Sequence, residues 1–244
     1  MSSPIPPAPE PSAEAIVVRV AGGAGASRTD RRRAAIVEAA TRLFLRHGYQ
    51  GTSVDEIAAH AAASKQTVYK QFGDKEQLFR AIVEGLSASV EEFTAELTGT
   101  FDDLSDPVDV AVALEDFARR YIAFTVRTPV IAVRRLVIGE ATRFPELARD
   151  YFQRVPRYFL GVVAGWFADL ARRGLLAVDD PALAADQFGF LVVGQALDQA
   201  TFCGADREPA DLERVAVAGA RVFLRAHRPA RRGSDGAQMQ SGDI

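Results

Sequence analysis

The sequence predicts an all-α protein, and three features of the chain predict it. Apolar residues recur at helical spacing between residues 31 and 226. No stretch alternates with period two beyond a few residues, and no Asn-Gly or Asp-Gly turn separates two apolar runs. The helix starts carry their own signals, namely Ser or Asp followed three residues later by Glu or Gln, and Pro at the first helical position.

About nine helices follow. The first covers about Arg31–His47, with Ile36, Ala40, Leu43 and Phe44 on one face, and Gly48 ends it. Ser53 with Glu56 is a capping box that opens a short helix to about Ala61. Ser64 caps a third, Lys65–Phe72, which Gly73 stops. Asp74 with Gln77 opens a long helix to about Leu97, whose stripe is Phe79, Ile82, Leu86, Val90, Phe93 and Leu97. Asp106-Pro107 starts the next, and Thr128-Pro129 another to about Arg143. A long helix runs from Pro145 to Arg173, with a kink expected at Pro156. Asp180-Pro181 and Pro209 open the last two, to about Thr201 and Ala226. Residues 1–27 and 229–244 are rich in small, polar and Pro residues without periodicity, and are expected to be disordered tails.

Charge is unevenly spread. The chain's net charge is −3, but residues 28–80 hold ten Lys/Arg against six Asp/Glu, and the remainder carries −7. The only three lysines, Lys65, Lys70 and Lys75, fall in one eleven-residue window. A basic N-terminal module on an acidic body suggests a nucleic-acid partner.

The window explains the charge. Two short helices joined by Ala62-Ala63-Ser64 have the layout of a helix-turn-helix. Val68 and Phe72, four apart, must face the core together with Ile57 and Ala58. Lys65, Gln66, Thr67, Tyr69 and Lys70 are left on the outer surface. Gln pairs with adenine in the major groove and the Thr methyl meets the thymine methyl. Lys and the Tyr hydroxyl suit phosphate oxygens. The helix N-termini at Ser53, Ser64 and Asp74 offer free N–H groups to phosphates. Arg28, Arg31, Arg32 and Arg33 precede the first helix, as an arm toward DNA or as plain solubilising charge.

Residues 36–83 closely resemble the DNA-binding domain of the TetR (tetracycline-repressor) family of transcriptional regulators. The match runs through Ile36, Ala39-Ala40, Leu43-Phe44, Gly48-Tyr49, Thr52-Ser53-Val54, Ile57-Ala58, Ala61, Ser64-Lys65, Thr67-Val68-Tyr69, Phe72 and Lys75-Glu76-Gln77-Leu78-Phe79. The resemblance assigns Thr52 to phosphate contact, Lys65, Gln66, Thr67, Tyr69 and Lys70 to the recognition helix, and Lys75 to a phosphate clamp. One position departs from it: the family usually has Gly where this chain has Ala62.

The resemblance also implies a domain division. A DNA-binding domain over 28–91 would be followed by a helical ligand-binding and dimerisation domain over 92–228. The stretches Arg134–Glu140 and Phe144–Leu147 look similar to one common subgroup of such bodies. Aromatic residues make an apolar effector pocket plausible there. Candidates for it are Phe117, Tyr121, Phe124, Phe144 and Tyr158, with Trp166 and Phe188. Arg134, Gln195 and Asp198 are candidate polar anchors, or members of an ion pair at a dimer edge. The last two helices, about 181–201 and 210–226, are the expected homodimer interface. Leu183, Leu191 and Gly194 would meet the partner with Leu212, Val215, Gly219 and Val222. The partners so implied are double-stranded operator DNA, a second copy and a small-molecule effector.

Other classes find no support. One cysteine, Cys203, excludes an intrachain disulfide. The longest apolar run, 158–168, is far below the roughly 20 residues that span a bilayer. The segment Ile16-Val17-Val18 lacks the basic flank of a signal peptide, so a cytoplasmic location is expected. His47, His60 and His227 share no metal-ligand spacing, and no phosphate loop or Gly-x-Ser-x-Gly occurs. No cofactor, metal or enzymatic activity is expected.

Overall fold

The computed structural model describes residues 27–204 and 207–229. Among them are ten α-helices and no strand. They are α1 (Arg28–His47), α2 (Val54–His60), α3 (Lys65–Phe72), α4 (Lys75–Glu96), α5 (Pro107–Thr125), α6 (Thr128–Glu140), α7 (Pro145–Phe152), α8 (Tyr158–Arg172), α9 (Pro181–Cys203) and α10 (Pro209–Ala226). The tails expected over 1–27 and 229–244 lie, apart from Ser27 and Pro229, outside the described residues.

The helix starts follow the caps. Ser53, Ser64, Asp74, Asp106 and Asp180 each accept a hydrogen bond from a backbone N–H of the helix they precede. The first helix begins three residues earlier than its apolar stripe predicts. Ser27 accepts from Asp30 N, and the Asp30 carboxylate accepts from Ser27 N, a capping box with Asp in the Glu position. Ser27 therefore belongs to α1 and not to a tail. Hydrogen bonding to Ser27 also holds the Asp30 carboxyl below its ordinary pKa.

The helix expected over 145–173 is interrupted where Pro156 falls. A π-helical turn, Gln153–Arg157, joins α7 to α8. Proline has no N–H for the ladder and its ring crowds the preceding turn, and the widened turn accommodates both. Helix α6 ends at Glu140, and a turn leads through Arg143 to Phe144, three residues short of the expected end.

Helices α1–α3 and the start of α4 enclose one part of the core: Ile36, Phe44, Ile57, Val68, Leu78 and Phe79 are all nearly solvent-free. In the body, α10 packs on α5 and α9, and α9 also packs on α8. Phe117, Phe167, Phe188 and Phe223 fill the space between them. A fully buried Phe side chain contributes about 1.5–3 kcal/mol, so these rings are the main reason the four helices stay together. The close contact of α10 with α9 depends on Gly219. A Cβ at that position would lie 2.5 Å from Leu191 O. Gly219 thus faces α9 of its own chain, which corrects its assignment to the dimer surface.

Candidate DNA-binding site

The site is built on α2, α3 and the turn between them. In the turn, Ala61 N donates to Ile57 O and Ala63 N donates to Ala58 O, both at 2.9 Å. Such a six-residue closure needs a left-handed residue near its end, and that residue is Ala62, at φ 48°. The Cβ of Ala62 strains this conformation by about 1 kcal/mol. Ala62→Gly is therefore expected to raise stability by about that amount in urea unfolding. A loss of stability would show that the strain is relieved in another way.

The turn sets the angle at which α3 leaves α2. Val68 and Phe72 point inward onto Ile57 and Ala58, all four buried. The opposite face of α3 presents Ser64, Lys65, Gln66, Tyr69 and Lys70 to solvent, with Thr67 half-buried at its edge. Ser64 accepts from Thr67 N at 3.1 Å, and the two hydroxyls share a hydrogen bond at 2.8 Å. Tyr69 is 45 % exposed, high for an aromatic ring. Lys65 Nζ reaches across to Asp55 Oδ2 at 2.9 Å, and this hydrogen bond raises the Lys65 pKa. Lys70 has no ion-pair partner among the described residues.

Three of the expected DNA contacts meet a different local geometry. The Thr52 side chain is buried, and its hydroxyl donates to Gly48 O at 2.9 Å, so it braces the α1–α2 turn and does not face phosphate. Lys75 points inward. Its Nζ donates to Tyr49 O at 2.9 Å and to Thr52 O at 3.0 Å, and sits 4.3 Å from the Tyr49 ring centroid. Burial and, secondarily, Arg143 lower its pKa. Lys75 thus braces the α1–α2 turn, with two of its three N–H donors engaged there. Finally, Arg28, Arg31, Arg32 and Arg33 lie within the first two turns of α1, and so do not form a free arm. Arg33 is engaged on α3: its guanidinium donates to Gln71 O at 3.3 Å and covers the Phe72 ring at 4.3 Å. The other three are exposed.

A joint between head and body was missed in the sequence. Phe144, placed above among pocket residues, packs edge-on against Tyr49 at 5.0 Å and Phe79 at 6.0 Å. Arg143 lies 5.4 Å from the same Tyr49 ring. The α6–α7 turn therefore rests on the ring whose carbonyl holds Lys75. The signal was present, since Tyr49 belongs to the resemblance, but nothing in spacing pairs it with residue 144.

The remaining pocket candidates do not converge on one site. Phe117 contacts Tyr121, Trp166 and Phe188 at 5.4–6.0 Å between ring centroids. Phe124 connects to them through Phe93 and Phe159. Outside this cluster, Tyr158 is 41 % exposed on α8. Gln195 is exposed and pairs with Arg207, and Asp198 is exposed as well. Arg134 donates to Thr201 Oγ1 at 3.2 Å.

The fold and this site define a helical protein with an N-terminal helix-turn-helix whose polar face stands clear of the body. Comparison with known proteins agrees. Residues 36–82 match the model for bacterial regulatory proteins of the tetR family, and residues 112–229 match the model for the C-terminal domain of AefR-like transcriptional repressors. A TetR-family transcriptional regulator from Mesorhizobium loti is 36 % identical, with a TM-score of 0.71 over 82 % of this chain and 98 % of its own. The flavonoid-responsive regulator FrrA is 30 % identical, with a TM-score of 0.64 over the same shares. The repressor SCO4008 of Streptomyces coelicolor is 40 % identical over 78 residues, which are 30 % of this chain and 41 % of that protein. The chain belongs to the TetR family of transcriptional regulators.

Proposed function

We propose that the protein is a homodimeric transcriptional repressor that leaves a palindromic operator when a small, largely apolar or aromatic effector binds its body. The observation that carries the DNA-binding part is the exposed face Lys65, Gln66, Tyr69 and Lys70 on a helix whose other face is locked into the core. In this reading, residues 28–91 form the DNA-binding domain and 92–228 the ligand-binding and dimerisation domain. Among the described residues, no helix is long and apolar enough to cross a membrane, and the site of action is the cytoplasm, where the DNA is.

The dimer surface is supported by apolar side chains that the protomer leaves open. Leu183, Phe190, Leu191 and Phe202 on α9, with Val222 on α10, are each at least 40 % exposed. A cavity of about 370 Å³ lies among them, lined by Phe190, Leu191, Val222 and Phe223. A second copy related by a two-fold axis would cover this face and set two α3 helices on half-sites about 34–36 Å apart or a multiple of that. The effector class is supported by the aromatic interior and by the likeness to a flavonoid-responsive regulator. An effector acts here by preferring one spacing of the heads over the other. The Phe144–Tyr49 contact is one of the places where the body touches the head.

A second reading has the body answering to a protein partner with no small-molecule effector. It draws on the close packing of the same interior, where Phe117, Phe167 and Phe188 are fully buried.

Lys70 gives the test of the DNA-binding assignment. With its ammonium free to meet a phosphate, Lys70→Ala should weaken binding to all duplexes alike. It should also reduce the slope of log K against log salt by about 1. Mobility shifts over a salt series check this. An unchanged slope would remove Lys70 from the interface.

A further inference from the structure

We infer that Asp55 of α2 is a specificity-determining residue for DNA: its carboxylate engages the Lys65 ammonium at the edge of the recognition face and withholds that charge from the phosphate backbone. The inference rests on the reading of the α3 face as the DNA-binding surface and specifies what limits binding to the wrong sequence.

The contact joins the two helices of the motif. Asp55 lies in the first turn of α2 and Lys65 is the first residue of α3. Lys65 Nζ donates to Asp55 Oδ2 at 2.9 Å, and both side chains are more than half exposed. Neither residue serves the cap beside it. Ser53 and Glu56 close the start of α2, and the Ser64 hydroxyl closes that of α3. An exposed pair of this kind adds little to stability, and Val68 and Phe72 already hold α3 on the core. A carboxylate beside a surface that meets phosphates brings a like charge toward them, which opposes association.

The two lysines of the face therefore present different charges to DNA. Lys70 is a cation with no ion pair, whereas Lys65 with Asp55 is a neutral pair. Binding to arbitrary sequence is almost entirely the release of counterions by protein cations, so the pair removes one cation from it. In the operator complex, base contacts fix the depth and register of α3. Lys65 keeps two N–H groups that Asp55 does not use. Held by the carboxylate, they meet an acceptor at a fixed position without the entropic cost of ordering a long side chain. Asp55 thus weakens the sequence-independent complex more than the operator complex.

Asp55→Asn keeps the shape and removes the charge. Its binding to two duplexes of equal length is measured over a salt series, one of random sequence and one that the wild-type protein selects from genomic DNA. At about 0.15 M salt, affinity for the random duplex should rise about fivefold, with the slope of log K against log salt steeper by about 0.9. Affinity for the selected duplex should rise by about twofold or less, so discrimination falls. A role confined to the start of α2, where negative charge is favoured, would lower both affinities together with the urea midpoint. In a Lys65→Ala background, Asp55→Asn should no longer change the slope, because no ammonium is left to release. An unchanged or lower affinity for the random duplex, an equal rise for both duplexes, or a slope change that survives Lys65→Ala overturns the inference. Lys70→Ala separates the two levels. If it lowers the slope while Asp55→Asn does nothing, only the role of Asp55 falls. If neither variant alters binding to either duplex, the α3 face is not the DNA surface and both readings fall.

Discussion

Replacing Lys75 by Ala is expected to destabilise the DNA-binding head by about 2 kcal/mol and to weaken DNA binding without changing its salt dependence. The stability estimate follows from two hydrogen bonds donated by a charged group, each of which typically contributes more than a neutral one. Both accept at backbone carbonyls, Tyr49 O and Thr52 O, on the α1–α2 turn. The cation also covers the Tyr49 ring, against which Phe144 packs. Without the ammonium, two carbonyls lose their partner and the turn that sets α2 loses its brace. DNA affinity should then fall because the head is less well ordered. A phosphate contact would behave differently: its loss lowers the salt slope by about 1 and leaves folding untouched. Urea unfolding together with a salt series of binding curves separates the two. A normal unfolding midpoint with a reduced slope would restore the phosphate role that the family resemblance assigns.

Gly219→Ala is expected to cost about 3 kcal/mol, the upper end of ordinary overpacking, and to lower Tm by roughly 10 °C. The added methyl carbon would meet Leu191 O at 2.5 Å, Leu191 C at 2.8 Å and Val192 N at 3.1 Å. These are backbone atoms in the middle of α9, so no rotamer change relieves the clash, and α10 must move off α9 as a unit. The exposed Leu191 and Val222 would move apart with them, so dimerisation in sedimentation equilibrium should weaken as well. Gly165→Ala on α8 is the control, because a Cβ there meets nothing within 4 Å. It should stabilise by about 0.8 kcal/mol through helix propensity alone. Equal melting temperatures for the two variants would refute the close approach of α9 and α10.

What the sequence revealed, and what it hid, divides along physical lines. Helix starts were legible because capping is local: Ser53 with Glu56, Asp74 with Gln77 and Asp180-Pro181 place their chemistry within three residues of the helix they begin. The recognition face was legible because Val68 and Phe72 are four apart, which leaves the other side of a two-turn helix free. The start of α1 was hidden because Asp30 stands in for the Glu of the usual capping box, ahead of the first apolar residue. The inward turn of Lys75 was hidden because its partners lie 26 and 23 residues away along the chain. Lys75 and Lys70 look alike in sequence, one near the end of α3 and the other at the start of α4. Tertiary contact alone makes one a strut and leaves the other free. The same holds in the body, where ten aromatic and polar candidates were alike in sequence but only Phe117, Tyr121, Trp166, Phe188 and, through intermediates, Phe124 share a cluster.

The central claim is that the outer face of α3 reads an operator, and that a dimer presents it twice. Selection of genomic fragments bound by the full-length protein, followed by their sequencing, tests it most directly when run in parallel on Gln66→Ala. The account predicts an inverted repeat for the wild type. It predicts the same repeat for Gln66→Ala, degenerate at one symmetry-related base pair in each half-site, since a good side-chain–base contact discriminates by about 1–3 kcal/mol. Enrichment of a motif without two-fold symmetry, or an identical motif from both proteins, would contradict it.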